Sequence, residues 1–193
     1  MEHYRAQGIE PLALIVMLAR LGTADPVEPL TGVEALIETF DFSRFGRAIA
    51  RFDEAELRQL NARILHHLEH EQVRDRLPAA IGPEEWLAIR GNIETLADVD
   101  HWHRLITGPV MPVIEAADFV ACARESLAGL AWGPAVWRDL TEDLKVRTGR
   151  KGKDLFLPLR LALTGEAHGP NMAELLPLIG RDRALARLGG MAA

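Results

Sequence analysis

The stretch that decides the fold is DEAELRQLNARILHHL, residues 53–68. Asp53 followed three residues later by Glu56 is the capping-box pattern that begins an α-helix. Beyond it, apolar residues recur at intervals of three and four, which places them on one helical face. These residues are Leu57, Leu60, Ile64 and Leu68. The stretch therefore predicts an amphipathic helix with that face buried.

Similar spacing continues upstream, in residues 41–52, and predicts a second helical stripe there. Its apolar residues are Phe42, Phe45, Ile49 and Phe52. A row of arginines has the same spacing on roughly the opposite face: Arg44, Arg47 and Arg51. Such a row is a candidate contact for a polyanion, and ion pairing with Asp or Glu is the alternative.

Helical periodicity runs through most of the remaining chain, and strand-like alternation bounded by turn residues is missing. We therefore predict an all-α fold. Pro78, Gly82 and Pro83 interrupt the pattern, so we predict two helical parts, residues 1–77 and 78–193. The other helical segments are predicted at residues 11–21, 32–39, 84–96, 116–127, 134–147, 171–180 and 182–188.

The composition is that of a globular protein with a real core: 193 residues, 48% hydrophobic and 26% charged, with a formal net charge of −6. Cys122 is the only cysteine, so no intrachain disulfide can form and a reducing cytoplasm is the natural setting. The longest apolar run, residues 12–19, has eight residues. A membrane-spanning helix needs about 20. These features predict a cytoplasmic protein without a membrane partner.

A strongly basic segment stands out at residues 144–160, LKVRTGRKGKDLFLPLR. Its six basic residues and one acid give a net charge of +5, which leaves −11 for the rest of the chain. Gly149 and Gly152 could let backbone amides approach phosphates closely. The segment predicts a polyanion site, with a solvated charged loop as the alternative. The candidate contacts are Arg147, Arg150, Lys151, Lys153 and Arg160, then Thr164 and Gly165 in the turn that follows.

The histidine-rich stretch HHLEH, residues 66–70, raises the alternative of a small metal-dependent hydrolase. The zincin motif, however, needs Glu directly after its first His, and His67 holds that place. We therefore predict a helix surface without a metal. His101 and His103 flank Trp102 and are better explained by an interface or the edge of the core. No catalytic constellation stands out elsewhere.

Three blocks of sequence resemble the glutamyl-tRNA synthetases. GIEPLALIVMLARLGTADPVEP, residues 8–29, resembles the segment that follows the family's catalytic domain. FDFSRFGRAIARFDEAELRQLNARILHHL, residues 40–68, resembles the next part. TGRKGKDLFLPLRLALTGEAHGPNMAELLPLIGRDRALARL, residues 148–188, resembles the C-terminal tail. The resemblance covers nearly the whole chain.

This resemblance implies a stem-contact region at residues 1–77 and a helical anticodon-binding domain at residues 78–193. The partner would be tRNA(Glu), not DNA, together with the catalytic domain of the same polypeptide. The family's HIGH-type and KMSKS-type motifs, which handle ATP with magnesium, do not occur in these residues. We therefore expect no cofactor in this chain and no ligase activity from it alone. A stand-alone helical interaction module that has lost tRNA binding is the alternative.

Overall fold

The computed structural model of the chain describes residues 2–46 and 49–193. Regular structure in this part of the chain is helical, apart from one isolated antiparallel bridge between Thr23 and Phe45. The all-α prediction is confirmed. The helices are α1 Glu2–Ala6, α2 Pro11–Arg20, α3 Val33–Thr39, α4 Glu54–His67, α5 His70–Val73, α6 Pro83–Ile89, α7 Val99–Thr107, α8 Ala117–Gly129, α9 Val136–Thr148, α10 Lys153–Thr164, α11 Met172–Ile179 and α12 Arg181–Leu188.

None of the described helices combines the length and the apolar character that crossing a lipid bilayer requires.

The chain divides into two compact units, Met1–Asp100 and His101–Ala193, at the start of α7. The predicted boundary after residue 77 therefore falls inside the first unit. Contacts across that point explain why the chain stays compact there: the Trp86 indole donates to the Leu68 carbonyl at 2.9 Å. The assignment of stem-contact and anticodon-binding roles to the two predicted parts stays a prediction.

Helix α4 organises the first unit as its sequence predicts. Asp53 caps the helix by accepting hydrogen bonds from the backbone amides of Ala55 and Glu56. The four residues of the apolar stripe are buried, which confirms the predicted face. Asn61 is buried on the same helix, where its amide donates to the Glu94 carbonyl at 2.6 Å and its oxygen accepts from the Glu10 amide at 2.7 Å.

The helix predicted at residues 41–52 is wrong for the described part of that segment. Only a 3₁₀ turn forms, Phe42–Arg44, because the Asp41 side chain accepts from the Ser43 amide and closes a local turn. The Gly46 amide then donates to the Gly22 carbonyl instead of to a carbonyl one helical turn earlier. The apolar stripe consequently stays outside: Phe42 is 82% exposed.

The helix predicted at residues 84–96 is shorter than expected. Helix α6 ends at Ile89 and continues as a 3₁₀ turn, Arg90–Asn92. Asp98 then accepts from the backbone amides of Glu94 and Thr95, which begins the next helical segment at a new cap. Helix α7, which carries His101, Trp102 and His103, follows from that cap and was not predicted.

Helix α10 was also not predicted, because Pro158 lies inside it. Proline lacks the amide that would donate to the carbonyl four residues earlier, here that of Asp154. The Arg150 guanidinium donates to this same carbonyl at 3.3 Å and replaces the missing partner. Leu155, Leu159 and their buried neighbours then anchor α10 in the core of the second unit.

The second unit is held together around Arg187, which is completely buried. Its guanidinium donates to the carbonyls of Leu163 at 2.8 Å, Gly108 at 2.9 Å and Ala193 at 2.6 Å. Burial, with a smaller contribution from Arg183, lowers the pKa of Arg187 to about 10. The side chain is therefore still protonated at neutral pH, when it donates all three hydrogen bonds.

Replacing Arg187 with Met should destabilise the second unit by about 3 kcal/mol or more, because one buried and two partly buried carbonyls lose a charged donor at once. Urea denaturation followed by far-UV circular dichroism measures the change. Arg138→Met is the matched control, since Arg138 lies on α9 and forms an exposed ion pair with Asp139. We expect the control to shift stability by less than about 1 kcal/mol. Equal effects of the two variants would contradict the role given to Arg187.

Candidate nucleic-acid interface

The basic segment forms a tight turn between α9 and α10. Gly149 follows the last residue of α9 and has a left-handed backbone (φ 70°). Its amide donates to the Lys145 carbonyl at 3.0 Å and so completes the last helical turn. Gly152, with φ 53°, immediately precedes α10 and provides no side-chain cap. A Cβ atom built on either glycine would meet no atom within 4 Å. Both glycines are therefore required for the backbone conformation, and both face open space.

Three cations of the basic segment come together at this turn, which we call the basic turn, residues 148–153. Lys151 and Lys153 are exposed, whereas Arg150 is half-buried. The Arg150 guanidinium carbon lies 4.4 Å from the centre of the Phe119 ring, a cation–π distance. This contact and the hydrogen bond to Asp154 fix the arginine, while the two lysines extend into solvent.

Arg147 lies at the end of α9 and is engaged by two carboxylates. Its guanidinium donates to Glu125 at 3.2 Å and lies 3.7 Å from Asp143. The hydrogen bond with Glu125 raises the pKa of Arg147 above its ordinary value. Exposed ion pairs of this kind contribute at most about 1 kcal/mol, so a phosphate could replace either partner at little cost.

Arg160 has a structural role. It is half-buried, and it donates to the Pro170 carbonyl. A Cβ at Gly169 would lie 2.7 Å from the Trp102 ring and 3.2 Å from an Arg160 nitrogen, so the loop of residues 165–171 is folded closely around this arginine. Burial lowers the pKa of Arg160.

Thr164 and Gly165, the two weaker candidates, form the turn at the end of α10. Thr164 is buried, with its hydroxyl donating to the Arg160 carbonyl at 2.7 Å and accepting from the Glu166 amide at 3.1 Å. Gly165 has φ 73° and caps the helix through the Leu161 carbonyl. Both residues therefore stabilise the turn next to the candidate site. The Thr164 side chain is buried and exposes no surface to which RNA could bind.

The arginine row predicted in the first unit is not formed. Arg44 pairs with Asp25 at 2.9 Å, and Asp25 also pairs with Arg20 at 3.1 Å, so ion pairing accounts for Arg44. Arg51 is exposed on the rim of a surface cavity. Arg47 lies outside the described residues. Because the described residues of this segment, 41–46 and 49–52, form no α-helix, Arg44 and Arg51 do not share a helical face.

The three histidines of HHLEH contact backbone carbonyls rather than one another. His66 Nε2 lies 2.9 Å from the Ile93 carbonyl, His67 Nδ1 lies 2.6 Å from that of Arg63, and His70 Nε2 lies 3.0 Å from that of Ile81. In the described ranges, no three His, Cys, Asp or Glu side chains are grouped so that they could hold a metal.

Two aromatic residues beside the basic turn were missed by the sequence interpretation. Trp137 is half-exposed, and its ring centre lies 6.2 Å from that of Phe156 with 34° between the planes. The Lys145 ammonium lies 6.0 Å from the centre of the Phe156 ring. The sequence did contain one sign of this pair: Phe156 lies within a basic run, a pattern that is typical of single-stranded nucleic-acid sites.

Comparison with known proteins shows what this chain is similar to. Residues 113–191 match the family model described as anticodon binding domain. Glutamate–tRNA ligase 2 of Sphingopyxis alaskensis is 53% identical over 191 residues, which cover 97% of this chain and 44% of that protein. Glutamate–tRNA ligase 2 of Erythrobacter litoralis is 51% identical over 185 residues, which cover 96% of this chain and 41% of that protein.

A solved structure gives the same result for the fold. The glutamate–tRNA synthetase of Elizabethkingia anophelis superposes with a TM-score of 0.74 at 22% identity, over 96% of this chain and 41% of that chain. The two chains therefore share a helical fold. Over nearly its whole length, the chain is similar to part of these two glutamate–tRNA ligases. It spans less than half the length of the curated relatives it matches.

Some basic residues stabilise the fold and others are exposed, and stability measurements can distinguish the two kinds. Arg160→Met should lower the free energy of unfolding by about 1–3 kcal/mol, because the Pro170 carbonyl loses a charged donor. Lys151→Ala should change it by less than about 0.5 kcal/mol, since its side chain is exposed. Urea denaturation of both variants gives the comparison, and an Arg160 variant as stable as the parent would show that the loop does not depend on it.

Proposed function

We propose that this chain binds the anticodon arm of tRNA(Glu) through the basic turn. The observation that carries the proposal is the pair of exposed lysines, Lys151 and Lys153, beside two glycines in positive-φ conformations. The family match over residues 113–191 supports it independently of charge. The names of the relatives support tRNA(Glu) as the RNA.

The start of α10 adds a second attraction for phosphate. The first amides of a helix have no partner within it, and the helix dipole places partial positive charge there. No side chain caps α10, so these amides are available to an anion. Lys153 is the first residue of that helix, which places its ammonium group at the same end. Phosphate contacts of this kind position an RNA without reading its sequence.

In this proposal the chain supplies binding and none of the chemistry. Ligation of glutamate, with ATP and magnesium, would be carried out by the catalytic domain of a longer polypeptide, in the cytoplasm. The basic turn would hold the anticodon arm while the acceptor end reaches that domain. The stem-contact role of the first unit belongs to the same proposal, with the exposed Arg51 as its remaining described cation from the predicted row.

Binding of the isolated anticodon stem-loop of tRNA(Glu) tests the proposal. Lys151→Ala/Lys153→Ala should weaken binding and reduce the slope of log affinity against log salt by roughly 0.7–0.9 for each phosphate that the variant no longer neutralises. Fluorescence anisotropy at several salt concentrations measures both quantities. Arg58→Ala/Arg74→Ala removes the same charge from exposed, ion-paired positions of the first unit and is the matched control.

We expect the control variant to bind this stem-loop like the parent chain. If the control weakened binding as much as the lysine variant, the attraction would be a property of overall charge and not of the basic turn. If full-length tRNA(Glu) bound no better than an unrelated tRNA, the assignment of the RNA would be wrong. Absence of any RNA binding would favour the helical protein-interaction module instead.

A further inference from the structure

Trp137 and Phe156 form an aromatic pair on the surface of the second unit. Phe156 is 40% exposed, although it is one of the largest apolar side chains in the chain. Trp137 stands beside it at 6.2 Å between ring centres, with the planes inclined by only 34°. Burial of apolar surface favours placing such rings in the core. The exposed Phe156 ring and the half-exposed, tilted Trp137 ring therefore offer an aromatic surface to a ligand.

The two helices hold these rings rigidly. Val136 and Leu140 are buried on either side of Trp137 along α9. Leu155 and Leu159 are buried next to Phe156 along α10. Core packing therefore fixes the backbone at both positions, which limits the conformational entropy that is lost when a ligand binds there.

Positive charge surrounds the aromatic pair. The Lys145 ammonium lies 6.0 Å from the centre of the Phe156 ring. Lys153 precedes Phe156 by three residues on α10, so the two share one side of the helix. An aromatic surface with cations beside it has the two elements of a single-stranded nucleic-acid site: rings for bases and charges for the backbone.

We propose that Phe156, supported by Trp137, is a stacking platform for one unpaired RNA base, with Lys145 and Lys153 holding the phosphates beside that base. This inference rests on the proposed function, since it places the platform next to the basic turn that would hold the anticodon arm. Stacking accepts any base, so the platform contributes affinity for unpaired nucleotides and not the reading of one letter. A fully paired RNA has no base to offer it.

Trp137 provides a direct optical test. Among the four tryptophans, Trp86 and Trp102 are buried, and Trp132→Phe removes the other half-exposed indole. In that background, the anticodon stem-loop should quench the remaining exposed tryptophan, whereas the same stem extended into a fully paired duplex should not. Equal quenching by the two RNAs would overturn the proposal.

Substitution of Phe156 tests the platform by affinity. Phe156→Leu keeps the apolar character but removes the ring, and should weaken stem-loop binding about 10-fold with little change in the salt slope. Phe156→Tyr retains a ring and should bind like the parent chain. Thermal denaturation of both variants checks that the fold is intact. The inference fails if Phe156→Leu binds the stem-loop as tightly as Phe156→Tyr.

The two proposals fail in distinguishable ways. If the Lys151 and Lys153 substitutions weaken binding and lower the salt slope while Phe156→Leu has no effect, the basic turn stands and the platform falls. If Phe156→Leu weakens binding to the duplex as much as to the stem-loop, the ring acts through the fold and the platform again falls. If the parent chain binds no RNA, both proposals fail together.

Discussion

The second unit depends on one buried charge, the guanidinium of Arg187. It donates to carbonyls after α7, at the end of α10 and at residue 193, so a single side chain fixes three separate places in the chain. Leu163 lies near the end of α10, the helix that begins at Lys153, so Arg187 is one anchor of the helix that follows the basic turn.

Fold and candidate site share residues at α10. Pro158 leaves the Asp154 carbonyl without its helical donor, and Arg150 supplies one from the basic turn. Toward the C-terminal end of α10, Arg160 donates to the Pro170 carbonyl and so stabilises the loop that follows the helix. Among the five strongest cation candidates, Arg150 and Arg160 thus stabilise the structure and Arg147 is ion-paired. The two lysines, Lys151 and Lys153, are exposed and accessible to a ligand.

Sequence reasoning was accurate where local chemistry decides the outcome. The cap at Asp53 and the buried stripe of α4 follow from neighbouring residues alone. It was wrong at residues 41–52, where a helical period was overridden by the Asp41 turn and by pairing with the distant Gly22. The compensation of Pro158 by Arg150 and the exposure of Trp137 depend on tertiary packing, which a one-dimensional pattern does not contain.

The uneven charge along the chain has a kinetic consequence. Residues 144–160 carry +5 while the remainder carries −11, so an approaching polyanion meets repulsion over most of the molecule and attraction at one place. Such a field orients a partner before any contact forms and discourages encounters in wrong orientations. If the basic turn binds RNA as proposed, the net negative charge outside residues 144–160 would disfavour encounters of the RNA with the rest of the chain.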